Sequence, residues 1–210
     1  MSDFIYELAP GSAPTIVLLH GTGGDENDLL PIGRIVAPGA TLLGIRGKVL
    51  EHGSPRFFRR LSEGVFDLDD LRFRTNELAD FLVKQPGPLI ALGFSNGANI
   101  ADAMLLLRPE VLSAAILLRA MVPLIPDAPP DLSGKRVFLA SGIRDPIVPL
   151  ENAERLAAML KDYGADVTLK RVNAGHELTR EEIEQAREWL YDRPPGLSLS
   201  DERSVQDDLD

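Results

Sequence analysis

Four short apolar runs, at residues 15–19, 88–92, 112–118 and 136–140, are separated by stretches of helical spacing, and this alternation constrains the fold more than any other feature. Nearly unbroken apolar runs of this length suit strands buried on both faces of a parallel sheet. Weaker runs at 41–45 and 166–171 extend the same sheet, and helices are predicted over 26–36, 67–84, 97–107, 150–163 and 179–191. Strand and helix in turn imply right-handed βαβ crossovers in an open α/β sheet. A chain of 210 residues with 44% apolar content can bury one sizeable core, so 1–192 reads as a single domain. From Arg193 onward, Pro194-Pro195-Gly196, serines and five acids from Asp201 to Asp210 predict a solvated, disordered tail over 193–210.

Charge and cysteine content remove several functions. The 32 Asp and Glu against 22 Lys and Arg give a net charge of -10, which opposes binding to nucleic acid or anionic lipid. With 0 cysteines there is no disulfide, thiolate metal site or cysteine nucleophile. The amino terminus is acidic where a secretory signal would be basic, which predicts a cytoplasmic address. The most apolar stretch, 111–125, is broken by Arg119 and Pro123 and is shorter than the roughly 20 residues a membrane span needs.

Two connections depart from plain alternation. Residues 46–66 form a link longer than ordinary βα loops, with Gly47, Gly53, Pro55 and Gly64; Phe57 and Phe58 favour an ordered wall there. Residues 119–134 form a proline-rich link too short for an inserted lid, so any site is expected to be open.

Gly93-Phe94-Ser95-Asn96-Gly97 fits G-x-S-x-G directly after an apolar run and before a helical one. That context turns a weak pattern into a candidate nucleophile: a sharp strand-to-helix turn lifts the serine hydroxyl above the sheet, and the glycines remove colliding side chains. The competing reading is a glycine-rich turn with a bystander serine. Where such a turn carries a nucleophile, the acid and then the base follow it in the chain. Of His20, His52 and His176, only His176 follows Ser95, in a loop between the last strand and the last helix. Six aspartates lie between them: Asp102, Asp127, Asp131, Asp145, Asp162 and Asp166. Asp102 is expected to face sideways on a helix, Asp127 and Asp131 sit in the proline-rich link, and Asp162 and Asp166 flank a turn at the opposite edge. Asp145, just past the strand at 136–140, is the best candidate for the acid, and an N-cap or turn former is its alternative. His20-Gly21-Thr22-Gly23-Gly24-Asp25 follows the first strong strand and suits backbone amides aimed at an oxyanion. It lacks the Lys-Ser or Lys-Thr pair of a phosphate loop, and His20 reads as structural.

Together, Leu18 to Asp25, Gly93 to Gly97, Ser141 to Pro149 and Ala174-Gly175-His176-Glu177-Leu178 resemble the carboxylesterase/phospholipase family of the α/β-hydrolase superfamily, relatives of acyl-protein thioesterases. Arg46 to Gly53 and Arg56-Phe57-Phe58-Arg59-Arg60 resemble its bacterial branch found with hydroquinone and catechol resistance genes. The resemblance runs from about Thr15 to Trp189. It implies an α/β-hydrolase fold with a mostly parallel central sheet, helices on both faces and no separate lid domain. It places the catalytic triad on Ser95, Asp145 and His176, and the oxyanion donors on the backbone amides of Thr22 and Asn96. Thioesterase relatives usually carry Gln after the serine, where this chain has Asn96.

The implied activity is a serine carboxylesterase acting through an acyl-enzyme on small or medium esters, with no metal or organic cofactor. Phe57, Phe58, Met121 and Val122 are candidate pocket walls, with core filling the alternative for the phenylalanines. Arg56, Arg59 and Arg60 either attract an anionic group or form a salt-bridged face. The same triad also suits a thioesterase or lysophospholipase, and a non-catalytic ligand-binding relative is a third reading. The expected partner is a small-molecule ester; the family admits a homodimer, with no interface legible in these residues.

Overall fold

A computed structural model describes residues 4–192. The tail predicted over 193–210 lies outside the described residues. In chain order the elements are β1 (Tyr6–Ala9), β2 (Ser12–Leu19), α1 (Leu30–Val36), β3 (Ala40–Ile45), β4 (Val49–Glu51), β5 (Ser54–Arg56), β6 (Arg60–Ser62), β7 (Val65–Phe66), α2 (Leu68–Leu82), β8 (Leu89–Phe94), α3 (Asn96–Leu107), β9 (Ala114–Leu118), β10 (Arg136–Gly142), α4 (Leu150–Asp162), β11 (Asp166–Val172) and α5 (Arg180–Asp192). Seven strands form one sheet in the order β1-β3-β2-β8-β9-β10-β11. Every neighbouring pair in it is parallel except β1 with β3.

Alternate strand residues feed two cores, which is why the sequence runs are continuously apolar. Val17, Leu19, Ala91, Leu117 and Leu139 face one layer with Leu71 and Leu78 of α2, Met104 of α3 and Leu156 of α4. Ile16, Leu18, Ile90, Ile116 and Phe138 face the other with Leu30 of α1 and Ile183 and Leu190 of α5. Each face is therefore covered, and among the described residues no separate lid stands over the carboxyl ends of the strands.

Three local differences from the sequence reading have physical causes. The first helix begins at Leu30 rather than at 26, because the Asp25 carboxylate accepts the Asn27 amide at 2.7 Å and gives the backbone a turn in place of helical bonds. The long link at 46–66 folds into two hairpins, β4–β5 and β6–β7. The first closes over His52 and Gly53, both with positive φ (49° and 82°), as a two-residue turn matched to strand twist requires. Asp102, expected to face sideways from α3, is fully buried, since almost all of that helix is enclosed.

Neither carboxyl oxygen of Asp102 has a hydrogen-bond partner, and burial pushes its pKa well above the usual carboxylate range. The unfolded chain ionises this group near 3.8 while the folded chain keeps the proton, so its contribution favours folding at low pH and is lost as pH rises from there toward the folded pKa. Asp102→Asn cannot titrate. Its thermal midpoint relative to wild type is expected to rise between pH 5 and pH 8 in paired melts, whereas a pH-independent difference contradicts the buried neutral acid.

Candidate active site

Ser95 sits between β8, in the middle of the sheet, and α3. Its φ of 51° and ψ of -113° lie outside the comfortable regions for a residue with a side chain. Close backbone approach holds it there. A Cβ on Gly97 would lie 1.9 Å from the Leu19 carbonyl oxygen, and one on Gly93 would lie 2.6 Å from that of Gly97. These glycines are required by space rather than by φ, and the Ser95 amide is fixed by a 2.8 Å bond to the Leu118 carbonyl.

His176 lies in the loop after β11. Its Nδ1 is 2.8 Å from Asp145 Oδ2 and its Nε2 is 2.9 Å from Ser95 Oγ. With the carboxylate accepting, Nδ1 carries the proton and Nε2 is left to accept from the serine hydroxyl. The Asp145 side chain is fully buried, and that of His176 is 20% exposed. Asp145 also serves as a turn former: its Oδ1 accepts the Ile147 amide at 2.8 Å and the Val148 amide at 3.0 Å. One oxygen of this carboxylate thus orders the turn while the other faces the His176 ring. The loops carrying acid and base bond directly through Arg144 N–H to the Ala174 carbonyl at 3.0 Å.

The glycine loop after β2 is braced by the first hairpin. His20 donates from Nδ1 to the Gly21 carbonyl at 2.6 Å and accepts the Gly47 amide on Nε2 at 3.0 Å, and burial lowers its pKa. It is therefore a neutral structural strut. Arg56 donates to Thr22 Oγ1 at 2.8 Å, and the Asn96 side-chain oxygen accepts the Phe57 amide at 2.7 Å. Asn96 is the first residue of α3, where a helix amide has no acceptor within the helix.

These loops enclose a cleft of about 360 Å³ whose lining includes Thr22, Ser95, Asn96, Met121 and His176. Of the residues expected to form its apolar wall, Met121 is present. Phe57 and Phe58 are not: they are 2% and 0% exposed, with the Phe57 ring against His20 and the Phe58 ring edge-on to Phe66. Val122 packs on the core, its amide held by the Asn152 side-chain oxygen at 2.8 Å. Phe66, Phe94, Ile147 and Val148 provide the apolar surface in their place. Phe94 was visible as the second residue of the G-x-S-x-G motif; Ile147 and Val148 follow Asp145 directly. Arg56 and Arg60 reach the cleft and share one carboxylate, Glu51, at 3.2 and 2.9 Å, while Arg59 pairs with Asp67 at 3.0 Å outside it. Among the described residues no cluster of His, Asp and Glu is arranged to hold a metal ion, and no helix is long and apolar enough to cross a membrane.

A mostly parallel sheet with a strained strand-to-helix serine and an aligned Ser–His–Asp chain defines the α/β-hydrolase class. Residues 82–193 match the phospholipase/carboxylesterase family, and the chain is 49% identical over 192 residues to MhqD of Bacillus subtilis, which is named as a hydrolase, covering 88% of this chain and 96% of that one. The protein belongs to the phospholipase/carboxylesterase family. Among solved structures, the Bacillus cereus carboxylesterase superposes with a TM-score of 0.86 at 44% identity, covering 89% of this chain and 92% of the other. YahD, solved with malic acid, superposes with a TM-score of 0.84 at 33% identity, covering 90% and 99%.

The crowding at Gly97 gives a direct test. Gly97→Ala places a methyl group inside the Leu19 backbone and is expected to lower stability by about 3 kcal/mol, roughly 10 °C in the thermal midpoint. A melt within about 2 °C of wild type contradicts a turn held by close backbone contact.

Proposed function

We propose that the protein is a serine carboxylesterase that hydrolyses small or medium esters through an acyl-enzyme on Ser95. The observation that carries this reading is the continuous chain from Ser95 Oγ to His176 at 2.9 Å and from His176 to the buried Asp145 at 2.8 Å. His176 takes the serine proton as Oγ attacks the ester carbonyl, then returns it to the departing alcohol. Asp145 holds the imidazole tautomer and stabilises its charged form. Water then repeats the sequence on the acyl-enzyme, with His176 again the base. The Thr22 and Asn96 amides receive the oxyanion, each donor contributing about two to three powers of ten in rate. Membership of a carboxylesterase family supports the ester as substrate, and the open cleft suits a compact one.

A narrower reading of the substrate is favoured by the arginines. Arg60 lines the cleft while paired with Glu51, Glu63 lines it too, and Arg56 is buried with its donors given to Glu51, Thr22 and Phe58, so Arg60 is the guanidinium within reach of an acid, and a 33% identical relative is solved with the dicarboxylate malic acid. Esters bearing a free carboxylate are the substrates this arrangement favours.

The test is a chain-length series of p-nitrophenyl esters, matched thioesters and esters with a terminal carboxylate, with wild type and Ser95→Ala compared. Loss of at least about a thousandfold in kcat in the variant is expected. Equal turnover by Ser95→Ala removes the serine mechanism, and preference for the thioesters would move the substrate class.

A further inference from the structure

Arg119 is the first residue after β9 and contributes nothing to the cleft, yet it is fully buried. Its φ of 61° is uncommon for a residue with a side chain. All five of its side-chain N–H groups have acceptors. Nε donates to the Gly175 carbonyl at 3.0 Å, and Nη2 donates to the Glu177 carbonyl at 2.6 Å. Nη1 reaches the Ala140 carbonyl of β10 at 3.4 Å. The remaining two donors form a bidentate pair with Glu182, at 2.5 and 2.9 Å. Asp145 Oδ2, the oxygen that faces His176, is 4.0 Å from Nε.

Two of the carbonyls gripped by this fork belong to the residues immediately before and after His176. Glu182 in turn anchors the start of α5: its carboxylate accepts the Thr179 amide at 2.5 Å, and its own amide donates to Thr179 Oγ1 at 3.4 Å, a reciprocal capping box. One planar cation therefore ties the strand leading to the acid, both flanks of the base and the helix that follows. A loop of irregular backbone would otherwise be free to carry the imidazole away from the serine.

We propose that Arg119 is a positioning residue, which with Glu182 fixes His176 in line between Asp145 and Ser95. The role depends on the planar fork as well as on charge, and it rests on the reading of Ser95, His176 and Asp145 as the reacting groups. An ammonium at 119 could keep the ion pair with Glu182 but could not reach two carbonyls and two carboxylate oxygens at once.

The experiment compares wild type with Arg119→Lys and with the double variant Arg119→Met/Glu182→Leu. Replacing both charges removes the buried pair without stranding one partner, a change that cores commonly tolerate. Melting curves establish folding, p-nitrophenyl acetate gives kcat and KM, and the low-field proton spectrum reports the Nδ1–H bond of His176, identified by its loss in His176→Gln. In both variants kcat is expected to fall about 10- to 100-fold with KM changed less than about threefold, and the low-field resonance to shift or broaden. A folded Arg119→Lys, or a folded double variant, with wild-type kcat and an unchanged resonance overturns the proposal. Ser95→Ala run alongside separates the two failures: if it is inactive while both Arg119 variants are fully active, the positioning role alone falls, and if it is active the serine reading falls with it.

Discussion

The turn at Ser95 is the constraint on which the site depends. Parallel strands end together at one edge, and β8 lies in the middle of that edge, between β2 and β9. Reversing from strand to helix in the space available brings α3 against the Leu19 backbone, which leaves no room for a side chain at position 97. The unfavourable φ of Ser95 is the local consequence, and the buried sheet and helix on either side hold it in place. Once the turn is fixed, the hydroxyl stands at the mouth of the sheet and the loops after β2, β10 and β11 surround it.

Those loops are irregular, and polar bonds to buried side chains fix them. Asp145 orders its own turn with one oxygen and faces His176 with the other. Asn96 and Asn99 accept the Phe57 and Met121 amides, so the start of α3 sets the hairpin on one side of the cleft and the proline-rich link on the other. His20 and Arg56 do the same for the glycine loop. Buried side-chain bonds of this kind are costly when unmade, which is how short links gain a defined geometry without regular secondary structure.

Much of the fold was legible because both faces of the sheet are covered, so its strands appear as unbroken apolar runs. The boundaries that moved did so where side chains compete with helical bonds, as at Asp25, or where a two-residue turn hides inside a long link, as at His52 and Gly53. Ser95, Asp145 and His176 were legible from their order and from their places after apolar runs, and the structure brings those side chains into contact. The cleft wall was not. Phe57 and Phe58 carry the composition of a pocket, but burial depends on partners distant in sequence, His20 and Phe66, that no local pattern reveals. Arg119 was noted only as an interruption of an apolar stretch. Apart from the Ala140 carbonyl, its acceptors lie more than fifty residues ahead on the loop after β11 and on α5, and a charge at the end of a buried run was the one sign of them.

The proposed mechanism requires a covalent acyl intermediate on Ser95. It is tested most directly by mixing the enzyme with excess p-nitrophenyl acetate, quenching in acid within the first turnovers and mapping the mass of the resulting peptides. An acetyl group on the peptide carrying Ser95 and a burst of p-nitrophenol close to one per active site are expected. Turnover with an unmodified Ser95 peptide and no burst when deacylation is made slow, or an acyl group on another residue that forms and decays at the steady-state rate, would contradict it.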